Sequence, residues 1–385
     1  MGGAIVHALR LAAGMTWEIL WALILGFTLS GVVQAVVSKS EMTRLLPDDS
    51  PRSWSIATLL GAASSSCSYA AVALARSIFR KGADFTAAMA FEFASTNLVI
   101  ELGIILAVLM GWQFTAAEFS GGVVMVVLLA LLFRGFLTPK LVAMARRQAE
   151  RGIAGRMEGH AAMDMSVTGG SLLSRITSRR GFTAISHFFV MDWASIWVDV
   201  GGGLLIAGAL AAWVPESFWQ SFFLVRHPFW ASVWGPLVGP LVAMLSFVCS
   251  IGNVPLAAVL WNGGISFGGV AAFIFADLIV LPILNIYRKY YGRRMATLLF
   301  VTFYLTMAAA GYVVEVVFGL LGLVPEERNA KVLEATIQLN YTTVLNVIFL
   351  VLAAALVARF LRTGGPAMLR MMGGDSASDH DHHHH

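Results

Sequence analysis

Two cysteines are the residues of this chain best suited to bind a soft ion. Cys67 and Cys249 are the only cysteines among 385 residues, which excludes a disulfide scaffold and a multi-cysteine zinc or iron–sulfur site. Two thiolates could bind a soft cation or a trivalent metalloid, because soft centres prefer sulfur ligands. The alternative is that both are small, buried hydrophobic residues. We place them at a substrate site and name them as the candidate metal ligands.

Hydroxyl and amide side chains lie close to both cysteines in the sequence, and a further group follows the first one. Such side chains coordinate an ion, bond an anionic group or satisfy the backbone of a turn. The predicted substrate-binding residues are Cys67, Ser66, Ser68, Cys249, Ser250, Asn253, Ser95, Thr96 and Asn97.

Acidic residues inside apolar segments are the candidates for ion coupling. A charged side chain at that depth costs at least about 2.5 kcal/mol, so a functional role is the first hypothesis. Glu18 and Asp192 lie near the starts of apolar runs, which favours an interfacial position. Arg76 is expected to pair with an acid or to extend to the membrane surface. The predicted coupling residues are Glu92, Glu101, Asp277 and Asp199.

The composition shows what must position these residues. Hydrophobic residues make up 58% of the chain and charged residues 12%, and the mean hydropathy is +0.77. Soluble enzymes and nucleic-acid-binding domains do not have this balance, because so much apolar surface requires lipid. We therefore expect an all-α, multi-pass protein of the bacterial inner membrane, with the lipid bilayer and no nucleic acid as its partner. Nine apolar runs fall at about 11–38, 54–79, 83–112, 119–138, 182–214, 229–262, 265–287, 295–324 and 338–361.

The two halves of the chain are related by an internal repeat. Residues 67–94 and 249–276 share 11 identities in 28 ungapped positions, and the two cysteines coincide at an offset of 182. Internal repeats are typical of transporter folds. The predicted divisions are a first membrane repeat (1–138), a basic cytoplasmic linker (139–181), a second repeat (182–324), an extra transmembrane helix (325–362) and a flexible tail (363–385).

The basic residues favour inverted repeats with re-entrant hairpins. If all nine runs cross the membrane, Lys and Arg divide 14 inside to 11 outside. If 54–79 and 229–262 enter and leave on one side, the division becomes 21 to 4, which fits the positive-inside rule better. Small and hydroxylic residues around Cys67 suit a tight turn, although a Pro-kinked helix is the alternative for the second run. The N-terminus would then lie outside, and the linker and C-terminus would be cytoplasmic.

The helix that follows each hairpin is predicted to be interrupted. Ser95-Thr96-Asn97 marks the position in the first half, and Asp277 with Pro282 marks it in the second. Broken helices offer free N–H and C=O groups, which hold substrates within a bilayer.

A family resemblance emerges at these same residues. The segment from Trp17 to Arg44, the Cys67-Ser68 turn and Arg80-Lys81-Gly82-Ala83 resemble the ArsP/YraQ-like predicted permeases. The second half is similar through Pro255-Leu256-Ala257-Ala258 and Phe275-Ala276-Asp277-Leu278. The resemblance implies a multi-spanning permease, and some members export trivalent organoarsenicals. The arsenical-type pattern Cys-Ser-Cys-Gly is Cys67-Ser68-Tyr69-Ala70 here, which leaves one soft ligand fewer.

We therefore expect a secondary-active permease that exports a small solute, such as a trivalent metalloid, an organoarsenical or a soft metal ion. There is no Walker A sequence, so ATP-driven transport is not expected, and neither is a cofactor. A channel is the alternative. An intramembrane enzyme is less favoured, because Asp192 and Asp199 lie on one helix. The sequence leaves assembly as a homo-oligomer open.

Overall fold

A computed structural model describes residues 2–64, 68–151, 167, 169–213, 228–246, 250–330 and 341–366. All regular secondary structure in these ranges is helical. The first half contains α1 (Gly2–Val36), α2 (Lys39–Leu45), α3 (Pro51–Ser64), α4 (Ser68–Arg80), α5 (Phe85–Asn97), α6 (Ile100–Leu109) and α7 (Trp112–Phe136). Next come α8 (Pro139–Arg151) and α9 (Leu172–Thr177). The second half contains α10 (Arg179–Trp213), α11 (Pro228–Ser246), α12 (Ser250–Asn262), α13 (Phe267–Phe275), a 3-10 turn (Ala276–Leu278), α14 (Leu281–Tyr291), α15 (Arg293–Leu320) and α16 (Tyr341–Arg362).

Several of these helices can span a bilayer. In the described ranges, four helical segments are long and apolar enough, namely Phe85–Leu109, Trp112–Phe136, Arg293–Leu320 and Tyr341–Arg362. A fifth is a broken pair, α13 with its 3-10 turn and α14, which are bent by 41°. The all-α, multi-pass prediction is therefore confirmed at this level. The inverted orientation and the re-entrant hairpins stay predictions.

The predicted interruptions occur at the expected positions. In the first half α5 ends at Asn97 and α6 begins at Ile100. In the second half α13 ends at Phe275, and Pro282 lies in the first turn of α14, where its missing N–H costs no helical hydrogen bond. Two of the candidate spans, Phe85–Leu109 and the pair of α13 and α14, therefore carry a break.

The arms of the two predicted hairpins are helices. Helix α3 ends at Ser64 and α4 begins at Ser68, while α11 ends at Ser246 and α12 begins at Ser250. Both α4 and α12 have 13 residues. At 1.5 Å per residue such a helix is only about 20 Å long, which is less than a hydrocarbon core of about 30 Å.

The repeat extends to the backbone conformation. Gly82 and Gly264, which are 182 positions apart, end the second arm of each hairpin with φ of 105° and 103°. This left-handed conformation favours glycine. The next helix then begins after a side-chain cap, because Asp84 accepts from two amides of α5 and Ser266 accepts from the Gly269 amide of α13. We refer to residues 79–85 and 261–267 as corner one and corner two.

The two corners lie at opposite ends of α7. In corner one, the ring of Phe85 is 5.8 Å from that of Phe133, near the end of α7. In corner two, the ring of Phe267 is 4.8 Å from that of Phe114, at the start of α7. Phe267 also contacts Phe318, near the end of α15, so α7 and α15 run antiparallel.

The region predicted as a basic linker, 139–181, contains two helices in its described part. Its first residues form the basic helix α8, which packs against α4 and α14. Arg175, which belongs to α9, donates to the Glu41 carboxylate and to the carbonyl of Val36. These parts of 139–181 are therefore fixed to the membrane helices by hydrogen bonds that the sequence pattern did not reveal. Residues 152–166 lie outside the described ranges.

Helix α16 packs on α1 and α10 and presents an apolar outer face. Val344, Val347, Ile348 and Val351 are exposed on it, as expected of a helix that faces hydrocarbon.

Candidate functional site

The two halves meet at a hydrogen bond between a hairpin arm and a helix break. Ser68, the first residue of α4, donates its hydroxyl to Oδ2 of Asp277 at 2.7 Å. Both residues are fully buried. Asp277 lies in the 3-10 turn that interrupts the second membrane element, so its carboxyl reaches the N-terminus of α4. Free amides and the helix dipole favour negative charge there.

A second hydrogen bond between the halves involves Glu92. Tyr287, on α14, donates its hydroxyl to Oε1 of Glu92, on α5. Glu92 is fully buried, and its Oε2 has no hydrogen-bond partner within the described ranges. Asp277 lies close enough to act electrostatically on Glu92. Two predicted coupling acids are therefore brought together, one from each half.

The polar residues at the first break mostly bond to their own helix. Ser95 donates to the carbonyl of Glu92 at 2.9 Å, and Thr96 donates to the carbonyl of Phe93 at 3.3 Å. Asn97 donates to Phe93 and Thr96 through Nδ2, but its Oδ1 has no partner in the described part of the chain. Ser95 and Thr96 therefore terminate the helix, whereas Asn97 keeps an acceptor for a ligand.

Asn253 has both amide atoms buried and without a hydrogen-bond partner among the described residues. It lies in the first turn of α12, which begins directly after Cys249 in the sequence. A buried amide without partners is costly unless a ligand or water completes it. Its place at a substrate site stays a prediction.

The side chains of several predicted site residues lie outside the described part of the structure. Cys67, Ser66 and Cys249 lie outside the described ranges. Ser250, Glu101 and Asp199 are placed only by their backbone, in α12, α6 and α10. Within the described ranges, no group of three or more His, Cys, Asp or Glu side chains could hold a metal ion. The proposed ligand role of the cysteines is therefore untested.

Asp192 is buried between α10 and α1. It accepts from the Ser30 hydroxyl at 2.6 Å and from the Gln34 amide at 3.0 Å, both on α1. The sequence did not predict these partners, and the interfacial depth of Asp192 stays a prediction.

Arg76 is buried rather than extended to the surface. It donates to the carbonyl of Ala149 on α8 at 3.0 Å, and its guanidinium lies 4.3 Å from the centre of the Tyr290 ring. Helix α8 is therefore joined to hairpin arm α4.

Glu118 is a buried acid that the sequence reading missed. It is 1% exposed on α7, and Asp277 acts electrostatically on it as on Glu92. The predicted apolar run starts at about residue 119 and does not include Glu118. Extending the run back to the start of α7 at Trp112 would have found it.

Comparison with known proteins agrees with this architecture. Residues 4–316 match the ArsP family described as "Predicted permease". The chain belongs to this family. It is also 69% identical over 381 residues to the Mycobacterium tuberculosis (strain ATCC 25618 / H37Rv) protein named "Putative permease Rv2963", with 99% of this chain and 94% of that protein aligned. No solved structure matches the chain.

Membership of this permease family identifies a multi-pass membrane transporter and favours transport over catalysis. The match covers both halves, including the breaks that carry Glu92 and Asp277. The resemblance inferred from the sequence is confirmed.

Proposed function

We propose that this permease is a secondary-active exporter of a small solute, with a trivalent metalloid, an organoarsenical or a soft metal ion as the substrate class. The hydrogen bond from Ser68 to Asp277 carries the proposal, because it joins a hairpin arm of one half to the helix break of the other. Such meeting points near the bilayer midplane hold the substrate in transporters built from repeats.

The sequence next to this contact supports a soft substrate. Cys67 directly precedes Ser68, and Cys249 precedes Ser250 at the matching position of the second half. Sulfur ligands bind soft cations and trivalent metalloids in preference to hard ions. The substrate-binding set would comprise these four residues with Ser66, Asn253, Ser95, Thr96 and Asn97, of which Asn253 and Asn97 retain unpaired amide atoms within the described ranges.

The orientation we propose has inverted repeats in the inner membrane, with the N-terminus outside and the linker and C-terminus in the cytoplasm. Corner one contacts the end of α7 and corner two contacts its start, so equivalent structures lie at opposite ends of one spanning helix. The contacts of the basic residues support the same arrangement. Arg134 pairs with Asp49, and Arg359 bonds Thr183, each joining segments predicted to be cytoplasmic.

Buried carboxyl groups would couple export to an ion gradient. Glu92 and Asp277 are positioned for this, whereas Glu101 and Asp199 stay candidates on the basis of their sequence positions. An ionised carboxylate in a bilayer must be paired, hydrated or protonated, so it is a natural carrier of a proton.

Uptake into everted membrane vesicles tests this proposal. Methylarsenite, arsenite, antimonite and a soft-metal salt are supplied in turn, with and without an imposed pH gradient. We expect one of them to accumulate against its gradient only when the interior is acidic, and Cys249→Ser to abolish this. Saturation-free flux without accumulation would indicate a channel, and absence of uptake for all four would refute the substrate class.

Cysteine variants sharpen the test because the chain has only two. Cys67→Ser and Cys249→Ser are matched variants at equivalent positions of the repeat. If sulfur binds the substrate, each of the two Cys→Ser variants should lower uptake. Replacement of the same cysteine by Ala should lower uptake at least as much. Wild-type uptake in the double Cys→Ala variant would mean that the cysteines only pack, and it would exclude thiolate binding.

A further inference from the structure

Glu118 is an unusual acid for a membrane-spanning helix. It is 1% exposed, and neither of its carboxylate oxygens has a hydrogen-bond partner among the described residues. Asp192, by contrast, is a buried acid that accepts hydrogen bonds from Ser30 and Gln34. A buried carboxyl group without a donor requires a specific explanation.

The position of Glu118 is fixed by the glycines one turn further along α7. A Cβ added to Gly121 would lie 2.3 Å from Cζ of Phe275, and one added to Gly122 would lie 2.4 Å from Cδ2 of Leu98. Phe275 is the last residue of α13, and Leu98 directly follows α5. Residues three and four apart share a helix face, so Glu118 faces the region where both membrane elements are broken.

Two other carboxyl groups occupy this region, and both have donors. Ser68 donates to Asp277 and Tyr287 donates to Glu92, whereas Glu118 receives no such bond within the described ranges. Asp277 acts electrostatically on both glutamates. Three ionised carboxylates so placed would repel one another in a medium of low polarity, so the acid form is favoured for the one without a donor.

We propose that Glu118 is the proton-binding residue of this permease and exchanges its proton with the Asp277–Glu92 site. The inference rests on the proposed function, since it names the coupling ion and its carrier. Uptake of a proton by one carboxylate oxygen gives the neutral acid, and its release restores the carboxylate. No other bond forms or breaks in this step.

A proton suits this place better than a metal ion. Sodium or a divalent cation needs several oxygen ligands, whereas a proton needs one oxygen. Leu98 and Phe275, which pack on the glycines one turn further along α7, are apolar, and within the described ranges no group of three or more His, Cys, Asp or Glu side chains could hold a metal ion. A neutral carboxylic acid is compatible with such surroundings.

The other ionisable groups on the packed helices are accounted for. Helix α7 packs against α5, α6, α13 and α15. On α15, Glu315 accepts from the Gly268 amide, and Tyr304 and Tyr312 donate to carbonyls of α11. The end turns hold Asp84, Arg134, Arg293 and Arg294, and the first turn of α6 holds Glu101. Among the described side chains, Glu92 and Asp277 are therefore the ionisable groups near Glu118 at the two breaks.

Labelling with dicyclohexylcarbodiimide tests proton binding without any transport assay. This apolar reagent adds to a protonated carboxyl group and gives a stable N-acylurea, with no leaving group. We expect the full-length protein in proteoliposomes to be labelled at Glu118, as read by peptide mass spectrometry, with labelling that falls as the pH rises. Glu118→Gln should remove the labelled peptide, and Glu326→Gln, an exposed loop variant, should retain it.

Two outcomes of the labelling overturn the proposal. Protection of Glu118 by sodium chloride, but not by choline chloride, at constant pH would identify a sodium site instead. Labelling confined to Glu92 or Asp277 would assign the proton to another residue. If no carboxyl group is labelled, infrared spectroscopy decides. Protonated carboxylic acids give a C=O band, and the proposal requires Glu118→Gln to remove a pH-dependent part of this band. An unchanged band refutes it.

A transport experiment distinguishes failure of this inference from failure of the proposed function. With methylarsenite as the probe, Glu118→Gln should keep exchange across the membrane but lower pH-driven accumulation by tenfold or more, and Glu118→Asp should restore part of it. Wild-type accumulation in Glu118→Gln would overturn the role of Glu118. If the wild-type protein moves none of the four test substrates, the substrate proposal fails, and the labelling and infrared results still decide whether Glu118 binds the proton.

Discussion

Arg146 and Arg328 bind equivalent backbone positions in the two halves of the chain. Arg146 donates to the carbonyls of Phe79 and Ala83, and Arg328 donates to those of Trp261 and Ile265. All three pairs of positions differ by 182. The guanidinium groups also lie 3.9 Å and 4.2 Å from the centres of the Phe79 and Trp261 rings. The repeat therefore includes an arginine that fixes each corner.

Loss of either arginine should destabilise the corner that it holds. Arg146→Ala leaves two carbonyls without their donor and removes a cation–π contact, and Arg328→Ala does the same in the other half. We expect each to lower the free energy of unfolding by about 1–3 kcal/mol. Thermal unfolding in detergent measures this.

Arg147→Ala is the matched control, because Arg147 is the exposed neighbour of Arg146 on α8. Lysine at 146 or 328 should recover only part of the stability, since an ammonium group lacks the planar fork that spans two acceptors. Equal melting temperatures for the 146 and 147 variants would contradict a structural role for this arginine.

The location of the corners leads to a prediction about topology. Arg44 and Glu326 are exposed residues that the inverted arrangement places on opposite sides of the membrane. In a Cys67→Ser, Cys249→Ser background, we expect Glu326→Cys to react with an impermeant maleimide in intact cells. Arg44→Cys should react only after permeabilisation. Reaction of both residues from the same side would refute the inverted model.

The sequence predicted the repeat and the helix breaks, because both depend on local residue types. The coincidence of Cys67 with Cys249 revealed the offset, and Pro282 with Asp277 indicated the second break. The arginine pair was not found, because Arg146 was assigned to a linker and Arg328 to the C-terminal segment. Its role depends on which carbonyls each side chain reaches, and this is set by tertiary packing.

The burial of individual acids was harder to infer than the breaks. Asp192 and Glu118 both lie near the ends of apolar runs as read from the sequence, where an acid is usually at the interface. A helix distant in sequence lies near each acid: α1 bonds Asp192, and the end of α13 packs on the glycines one turn beyond Glu118. A hydropathy pattern along one chain segment does not contain this information.

Asn346 should matter for the attachment of α16. Its Oδ1 accepts from the Trp21 amide at 2.9 Å, and its Nδ2 donates to the Trp17 carbonyl at 2.6 Å. These two groups are four residues apart on α1, the spacing of a helical hydrogen bond, so Asn346 binds the donor and the acceptor of one such pair.

Replacing Asn346 by Leu should weaken this contact by about 1 kcal/mol, since α1 can re-form its own bond while the interhelical bonds are lost. Thermal unfolding of the purified protein is the measurement. The control is Val347→Ala, which alters an exposed neighbour on the same helix. A melting temperature at or above that of the wild type would show that the inserted amide does not stabilise the fold.

The ion pair of Glu41 and Arg175 should make stability depend on pH in the acidic range. Hydrogen bonds from Arg175 and from Ser38 lower the pKa of Glu41 from 4.5 to about 2. A carboxyl group whose pKa is lower in the folded state stabilises the fold above its unfolded pKa. That contribution is lost as the pH falls through the folded value.

We therefore expect Glu41→Gln to lower the melting temperature relative to the wild type at neutral pH. The difference should shrink between pH 4.5 and about 2. Glu326→Gln, in an exposed loop, provides the reference for a general effect of charge. A difference between wild type and Glu41→Gln that does not change across this range would exclude the ion pair as its source.

The contact of Ser68 with Asp277 should control the transport rate. Ser68→Ala removes the donor from a buried carboxyl group, and a hydrogen bond to a charged group contributes about 1.5–3 kcal/mol. A transporter alternates between a conformation open to one side of the membrane and a conformation open to the other. If the bond is made in only one of them, its loss changes the ratio of their populations by at least tenfold for 1.4 kcal/mol or more. We expect the initial rate of methylarsenite uptake into everted vesicles to fall by about this factor.

Two further variants separate the hydrogen bond from packing. Ser68→Thr keeps the hydroxyl group and should transport at close to the wild-type rate. Ser55→Ala is the control: it removes an exposed serine of α3, whose hydroxyl donates to the carbonyl of Pro51, and should leave the rate unchanged. In the double variant with Asp277→Asn, the effect of Ser68→Ala should be smaller than in the wild type, because the charged acceptor is gone. Additive effects would mean that the two residues act independently, and the proposed meeting point of the two halves would then have to lie elsewhere.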